Sequence, residues 1–208
     1  NKARAALTIL GVAVGVFVVV IISAAIHGIN VSVAKDIEAA GPNSFMIQRF
    51  PISFEACDGT ENTCKWLRNP PVRPTEVEAV AQLPSVQSVT MQVDSRAPVA
   101  YRGRNFSSMA IQGATANWIT LGGDLTAGRA FTESENANAA RIAVVNRKAA
   151  EEIFGSLDPV DKIITINGAA FRVIGVFHYA ASFLTGGDAA KIVIPLETAH
   201  RVLGLDMQ

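Results

Sequence analysis

"RIAVVNRKAAEEIFGSLDPVDKIITINGAAFRVIGVF", Arg141 to Phe177, carries the punctuation of a strand, a helix and a hairpin in one run. Ile142–Val145 is a short apolar strand. Asn146 follows as an N-cap, because its side-chain oxygen accepts a backbone N–H that the first helical turn leaves without a partner. The helix buries Ala149, Ala150, Ile153 and Phe154 along one face and ends at Gly155. Asp158-Pro159 turns the chain. Ile163–Ile166 and Ala169–Val176 then flank Asn167-Gly168, the strongest short hairpin signal, since a type I′ turn needs positive φ at both central residues. In that register Ile164 faces Phe171 and Ile166 faces Ala169.

Working outward, Lys191–Ile194 is a further strand, followed by a helix from Pro195 to about Leu203. On the other side lies the glycine-rich stretch "GGDLTAGRAF" (122–131), preceded by a short helix near Ala116–Leu121. Ala97–Arg102 and Ser107–Gln112 read as two strands turning at Gly103-Arg104-Asn105. Thr75-Glu76-Val77-Glu78 reads as a capping box, in which a hydroxyl and a carboxylate each satisfy a backbone N–H at a helix start. That helix runs to about Leu83 and stops before Pro84. A strand at Val86–Val93 would complete a β-α-β unit with the alternating stretch Ser44–Phe50. The order βαβ, strands, βα, hairpin, βα describes an α+β domain.

Between the first strand and this helix lies an irregular loop with both cysteines, Cys57 and Cys64. In an oxidising compartment two cysteines with Asp, Gly, Asn and Thr between them read as a disulfide-closed loop. Closing roughly eight residues stabilises by about 2.5 kcal/mol on the chain-entropy account. A metal centre would want a nearby His, and a redox pair would more naturally be CxxC.

The N-terminal stretch is of another kind. From Ala5 to Ile26 there is no charged residue. Roughly 22 residues at about 1.5 Å each give about 33 Å, enough to cross a hydrocarbon core of about 30 Å. Lys2 and Arg4 precede the run, which under the positive-inside rule puts the N-terminus in the cytoplasm and everything after Ile26 outside. A cleaved signal peptide is disfavoured by the length of the run, and a buried soluble helix by Val16–Ile22 being apolar all round. Gly11 and Gly15 form a small-xxx-small pair that would let another helix approach closely. Past the apolar run the helical period persists in Ile26, Ile29, Val33, Ile37 and Ala40, with Lys35, Asp36 and Glu38 off the stripe. Gly41-Pro42 supplies the stop. A single rod from residue 5 to 40 would be about 54 Å long. Gly28 and Asn30 lower helix propensity at the junction, so a hinge there is the alternative.

Across 208 residues, 18 basic side chains balance 18 acidic ones. Such neutrality argues against nucleic acid as a partner, because phosphate binding needs a basic face. The chain opens at Asn1 and reads as a piece of a longer protein. The search for chemistry is negative. His27, His178 and His200 are isolated, with no HExxH and no second ligand at helical spacing. There is no GxSxG elbow, and Leu184–Lys191 lacks the spacing of a phosphate loop. Glu133, Glu135, Glu151 and Glu152 sit where helix starts and solvated faces want charge. Trp66 and Trp118 read as packing. No catalytic, metal-binding or cofactor-binding residue is assigned.

"NKARAALTILGVAVGV" (Asn1–Val16) resembles the first transmembrane segment of ABC transporter permeases of the MacB/FtsX type. Gly122–Phe177 resembles the periplasmic core domain of the same family, through Gly128-Arg129 with Phe131-Thr132, Phe154-Gly155, Asp158-Pro159-Val160 and the Val173–Val176 strand. "IPLETAHRVLG" (Ile194–Gly204) also fits. Two departures are Asp161, where the family usually has Gly, and the Cys57–Cys64 loop, which looks like an extra.

The resemblance implies an inner-membrane protein with four transmembrane helices and a large extracytoplasmic domain between the first two. It implies a homodimer or heterodimer of permeases, a cytoplasmic ABC ATPase and a periplasmic adaptor. ATP hydrolysis would then reside in a separate or missing nucleotide-binding domain, so this chain is not expected to be an enzyme. The expected organisation is a transmembrane helix and stalk over 1–41, half of a membrane-proximal β-α-β lobe over 42–95, and most of an outer α+β lobe over 96–208. The first lobe would lack its returning strands, leaving an open sheet edge or an exposed apolar patch near Ser44–Phe50 and Val86–Val93. The expected mechanism is mechanical coupling, with the Ile29, Val33, Ile37 stripe on the stalk. A pilin-like fibre subunit is one rival, weakened by Ala5 where such helices carry an acidic residue. A single-span extracytoplasmic sensor or lipid-handling enzyme is another. A lipoprotein-releasing permease and a regulator of cell-wall hydrolases remain open within the family, and the sequence names no cargo.

Overall fold

An apolar run with no helix breaker in its interior forms one long helix, α1 (Lys2–Ala40), of 39 residues. At about 1.5 Å per residue it is about 58 Å long. The helix continues through Gly28 and Asn30 without interruption. The structure, a computed structural model, describes residues 2–40, 45–48, 64, 68–121, 123–179 and 189–205. Its contacts divide the chain into two units, Asn1–Ser44 with Ala181–Gly187, and Phe45–Ala180 with Asp188–Gln208.

The second unit is built on seven strands: β1 (Gln92–Tyr101), β2 (Arg104–Ala114), β3 (Gly123–Gly128), β4 (Ile142–Asn146), β5 (Ile163–Ile166), β6 (Ala169–Tyr179) and β7 (Lys191–Pro195). Four helices accompany them: α2 (Pro74–Ala81), α3 (Glu133–Ala137), α4 (Arg147–Phe154) and α5 (Leu196–Leu203), with a 3₁₀ turn at Ala116–Leu121. The strand order is β3-β6-β4-β7-β2-β1-β5, and β5 pairs back onto β6. Six strands therefore close a circuit, with β3 attached outside it on β6. Pairings β2–β7 and β4–β6 are parallel and the others antiparallel. The length of β6 makes closure possible: Ala169–Arg172 pair with β5, and the residues from Arg172 onward pair with β4 and β3.

Successive strand residues point to opposite faces, and each face has its own core. Val99, Met109, Ile111, Ala143, Val145, Ile164, Ile166, Phe171, Val173, Ile192 and Ile194 fill one side, closed by Ile153 and Phe154 of α4 and Ala199 of α5. On the other side Val144, Ile174, Phe177 and Val193 pack with Ala114, Trp118 and Phe131. In β6 the face switches. The register slips by one residue where Ala143↔Val173 gives way to Val144↔Gly175, so Ile174 is the extra residue of a bulge. That slip sends Val173 and Val176 to one core and Ile174 and Phe177 to the other.

Several expectations hold. The Asn167-Gly168 hairpin pairs Ile164 with Phe171 and Ile166 with Ala169. Asn146 caps α4, and Gly155 ends it at φ 65°. Others need correction. α2 begins at Pro74, whose fixed φ suits the first helical position, so the carboxylate that reaches back is Glu76, bonded to the Arg73 N–H at 2.9 Å, and not Glu78. The first hairpin turns at Arg102-Gly103, one residue earlier than read, and its strands are longer. β3 forms within the glycine-rich stretch, where no strand was expected. Residues 45–48 are not in a strand, and the expected strand at Val86–Val93 starts only at Gln92. An isolated extended segment has no ladder to satisfy its backbone. Residues 115–117 do this for 89–91: the Met91 N–H donates to Thr115 Oγ1, the Thr115 N–H donates to the Met91 carbonyl, and Asn117 Nδ2 donates to the Val89 carbonyl.

Candidate functional site

The described residues hold no group of three His, Cys, Asp or Glu side chains placed to share a metal ion. His27, His178 and His200 sit on α1, β6 and α5. The features that bear on function are an apolar helix and the junctions that stiffen the head.

In α1 the segment Ile9–Val31, 23 residues, is long and apolar enough to cross a membrane, and none of it is buried against protein. Large side chains all round it are open, with Ile9 69% and Phe17 64% exposed. Lys2 and Arg4 are exposed in the first turns. A Cβ added at Gly11 or Gly15 would meet nothing within 4 Å, so this face is open to another helix. Ile29 is 63% exposed. Val33 and Ile37 lie in the helix, their side chains outside the described set. In the second unit, Phe45, Met46 and Ile47 are also open, at 74%, 63% and 63%. At the other place named for such surface, Val86, Val89, Met91 and Val93 are half-buried.

The stretch Gly128–Thr132 is a junction between β3 and α3. Gly128 sits at φ 69°, and a Cβ there would lie 2.2 Å from the Ile174 carbonyl oxygen. A Cβ on Gly175 would lie 2.5 Å from the Arg129 carbonyl oxygen. Only glycine allows the two backbones this approach, and the Arg129 N–H uses it to donate to the Ile174 carbonyl at 3.0 Å. Phe131 is buried and stacks on Trp118, ring centroids 6.1 Å apart. Thr132 caps α3, with Glu135 returning a carboxylate oxygen to the Thr132 N–H at 2.8 Å.

Arg129 donates to both carboxylate oxygens of Glu135, at 2.8 and 2.7 Å. The Arg129 guanidinium, through these bonds, outweighs the partial burial that opposes ionisation and holds the Glu135 carboxyl down at about 2. Arg129 is raised in turn by the same bond. Reading Glu135 as a helix-start charge found its capping role. It missed the arginine, because a partner six residues away across a loop has no periodic signature.

Asn146 does more than cap. Its Oδ1 accepts from the Ala149 N–H at 2.8 Å and from the Lys191 N–H at 2.9 Å, and its Nδ2 donates to the Ala189 carbonyl at 2.7 Å. One amide thus ties the start of α4 to the entry of β7. Cys64 is buried at 1% exposure and is disulfide-bonded, whereas Cys57, its expected partner, lies outside the described residues.

The MacB-like periplasmic core domain family matches residues 5–207. Among curated relatives, the chain is 31% identical over 210 residues to the macrolide export ATP-binding/permease protein MacB of Chlorobaculum tepidum, covering 98% of this chain and 31% of that protein. It is 27% identical over 207 residues to the probable syringafactin export ATP-binding/permease protein SyfD of Pseudomonas syringae pv. tomato, covering 98% and 30%. The chain therefore spans about a third of the length of these relatives. Among solved structures, the periplasmic region of MacB from Actinobacillus actinomycetemcomitans aligns with a TM-score of 0.57 at 22% identity, over 64% of this chain and 58% of that one. The extracellular domain of the ABC-type transporter YknZ from Gram-positive bacteria aligns with a TM-score of 0.57 at 18% identity, over 65% and 68%. These structural likenesses speak for the fold. A match over nearly the whole chain, helix and head together, also leaves the pilin-like and single-span sensor readings without support. The chain, from its apolar helix to the end of its α+β head, belongs to the MacB-like periplasmic core domain family.

Proposed function

We propose that this chain is the first transmembrane helix and most of the extracytoplasmic domain of an ABC transporter permease of the inner membrane. Cytoplasmic ATP hydrolysis would drive movement of the extracytoplasmic domain, for export or for work on the cell envelope. The observation that carries this reading is the unbroken helix Lys2–Ala40, of which Ile9–Val31 is suited to the bilayer while the helix continues past it. A helix that crosses lipid and does not stop at the interface transmits displacement, whereas a flexible linker absorbs it. Two nucleotide-biased states of the whole assembly supply the displacement, since a rod by itself stores no preference.

In this reading Lys2 and Arg4 hold the N-terminus on the cytoplasmic side. Gly11 and Gly15 face a neighbouring transmembrane helix, and Ile29, Val33 and Ile37 line the stalk. The permease works as a homodimer or heterodimer, with an ABC ATPase either on the remainder of a longer polypeptide or as a separate subunit, and with a periplasmic adaptor. Cys57 and Cys64 pair to close the loop ahead of α2. Residues 42–95 are the fragment of a membrane-proximal lobe, and Phe45, Met46 and Ile47 are covered by segments of the longer protein. The remainder, sheet and helices, is the outer lobe.

The test uses spin labels on the two heads of the full-length dimer in nanodiscs, read by pulsed electron paramagnetic resonance with and without ATP. Val33→Pro is expected to abolish the ATP-driven change in head-to-head distance while ATP turnover continues, and Val33→Ala is expected to preserve it. An unchanged ATP-driven displacement in the proline variant would refute the coupling.

A further inference from the structure

We propose that the tip of the β1–β2 hairpin, Arg102 with Arg104, is a docking site for a carboxylate-bearing surface of a partner protein. The head contains two hairpins with the same two-residue turn. In one, Asn167 and Gly168 have φ of 47° and 83°; in the other, Arg102 and Gly103 have φ of 46° and 80°. This turn favours Asn, Asp or Gly at its first central position, because other L side chains crowd the backbone there. The second hairpin makes the favoured choice. The first keeps an arginine in a disfavoured conformation at an exposed tip, and such strain points to a use for the side chain.

The two guanidinium groups are held in place by rings and left without acids. Arg102 Cζ lies 5.5 Å from the centre of the Tyr101 ring, and Arg104 Cζ lies 5.1 Å from that of Phe106. Tyr101 is itself buried and fixed edge-on against Phe154, centroids 4.7 Å apart. Arg104 Nη2 donates to the Glu152 backbone carbonyl at 3.3 Å. Among the described residues no carboxylate lies within ion-pair distance of either arginine. Contact with a ring uses no N–H donor of the guanidinium, and each group has five, so donors remain for an incoming acceptor. It also restrains the side chains before binding, so less freedom is lost on contact.

A fork of N–H donors matches a carboxylate with two parallel hydrogen bonds. A membrane surface is a poorer fit: polybasic attraction to anionic lipid relies on clusters of about four to eight basic residues. The tip offers two, on a chain with no net charge, 18 basic side chains against 18 acidic ones.

The test uses the full-length protein in nanodiscs of neutral lipid and a fluorescein-labelled peptide carrying two adjacent glutamates, with its diglutamine counterpart as control. Arg102→Asn installs the residue of the sister turn, so the hairpin should be kept and the melting temperature should not fall. Arg104→Gln removes the second fork at an ordinary strand position. Each substitution is expected to weaken binding of the glutamate peptide by about tenfold. The diglutamine peptide should bind neither protein. Equal affinity of the wild type and the double variant would overturn the proposal. So would binding of the wild type to phosphatidylglycerol vesicles, lost in the double variant, with no binding of the peptide, since that would make the tip a lipid contact.

Discussion

Asp161 sits at φ 61°, a left-handed conformation, with its N–H donated to the Val173 carbonyl at 2.8 Å. The family resemblance expects glycine here, and the geometry supplies the reason: the turn needs positive φ, which glycine adopts without crowding. Asp tolerates it better than most residues because its short polar side chain bonds locally. Asp161→Gly is therefore expected to stabilise the head by roughly 0.5 kcal/mol, the relief of strain being partly offset by the greater freedom of glycine in the unfolded chain. Asp161→Val should destabilise by about 1–2 kcal/mol. Urea unfolding midpoints check both. At Glu135 the folded carboxyl sits at about 2 against an ordinary 4.5. A lowered carboxyl contributes stability that is present above the unfolded value and lost as pH falls towards the folded one, so the loss runs from about pH 5 to pH 2. Because the pair is partly exposed, at 55% for Arg129 and 26% for Glu135, the contribution is about 1 kcal/mol after allowing for solvent screening. Glu135→Gln should flatten the acid limb of stability over that window, measured by thermal melts across pH. A slope as steep as the wild type's would show that the pair carries none of it.

Among the elements, Asn146 concentrates three hydrogen bonds, capping α4 and tethering both Ala189 and Lys191. Removing an N-cap alone costs about 1 kcal/mol, and leaving further part-buried groups without partners adds to it. Asn146→Ala is thus expected to lower stability by about 2–3 kcal/mol, and amide exchange should quicken at Lys191 as well as at Ala149. Exchange faster at Ala149 alone would mean that the tether to β7 is weak. The cap was legible because a side chain and the helix start it serves are adjacent in sequence. The tether was not, since Lys191 is brought to Asn146 only by the β4–β7 pairing. The same division runs through the strands. Asn167-Gly168 gives the β5–β6 register because turn chemistry is local. β3 was invisible because its glycines, aspartate and alanine carry little strand signal, and its ladder is supplied wholly by β6. Val86–Met91 was over-read for the opposite reason, an apolar-polar pattern with no ladder partner among the described residues, the strand beginning only at Gln92.

For the whole molecule, closure of the sheet is the property least visible in the sequence. Val99 of β1 meets Ile166 of β5 across a long stretch of intervening chain, and no pattern along the sequence encodes that contact. The class, α+β behind one apolar helix, was readable because periodicity and turn chemistry each speak over short windows. The loose edges of the fold belong to the same scale. Phe45, Met46 and Ile47 are open at this scale, and the chain spans about a third of its relatives' length. The central proposal is that α1 stays one rigid column over its whole length, through the bilayer-suited Ile9–Val31 and on to Ala40. Spin labels at positions 8 and 35 of the full-length protein in nanodiscs test it most directly. A continuous helix places the two backbone positions about 40 Å apart, so pulsed electron paramagnetic resonance should return one narrow distribution near that value. A broad distribution, or one centred well below it, would mean that the column breaks between lipid and head, and the coupling account would fail with it.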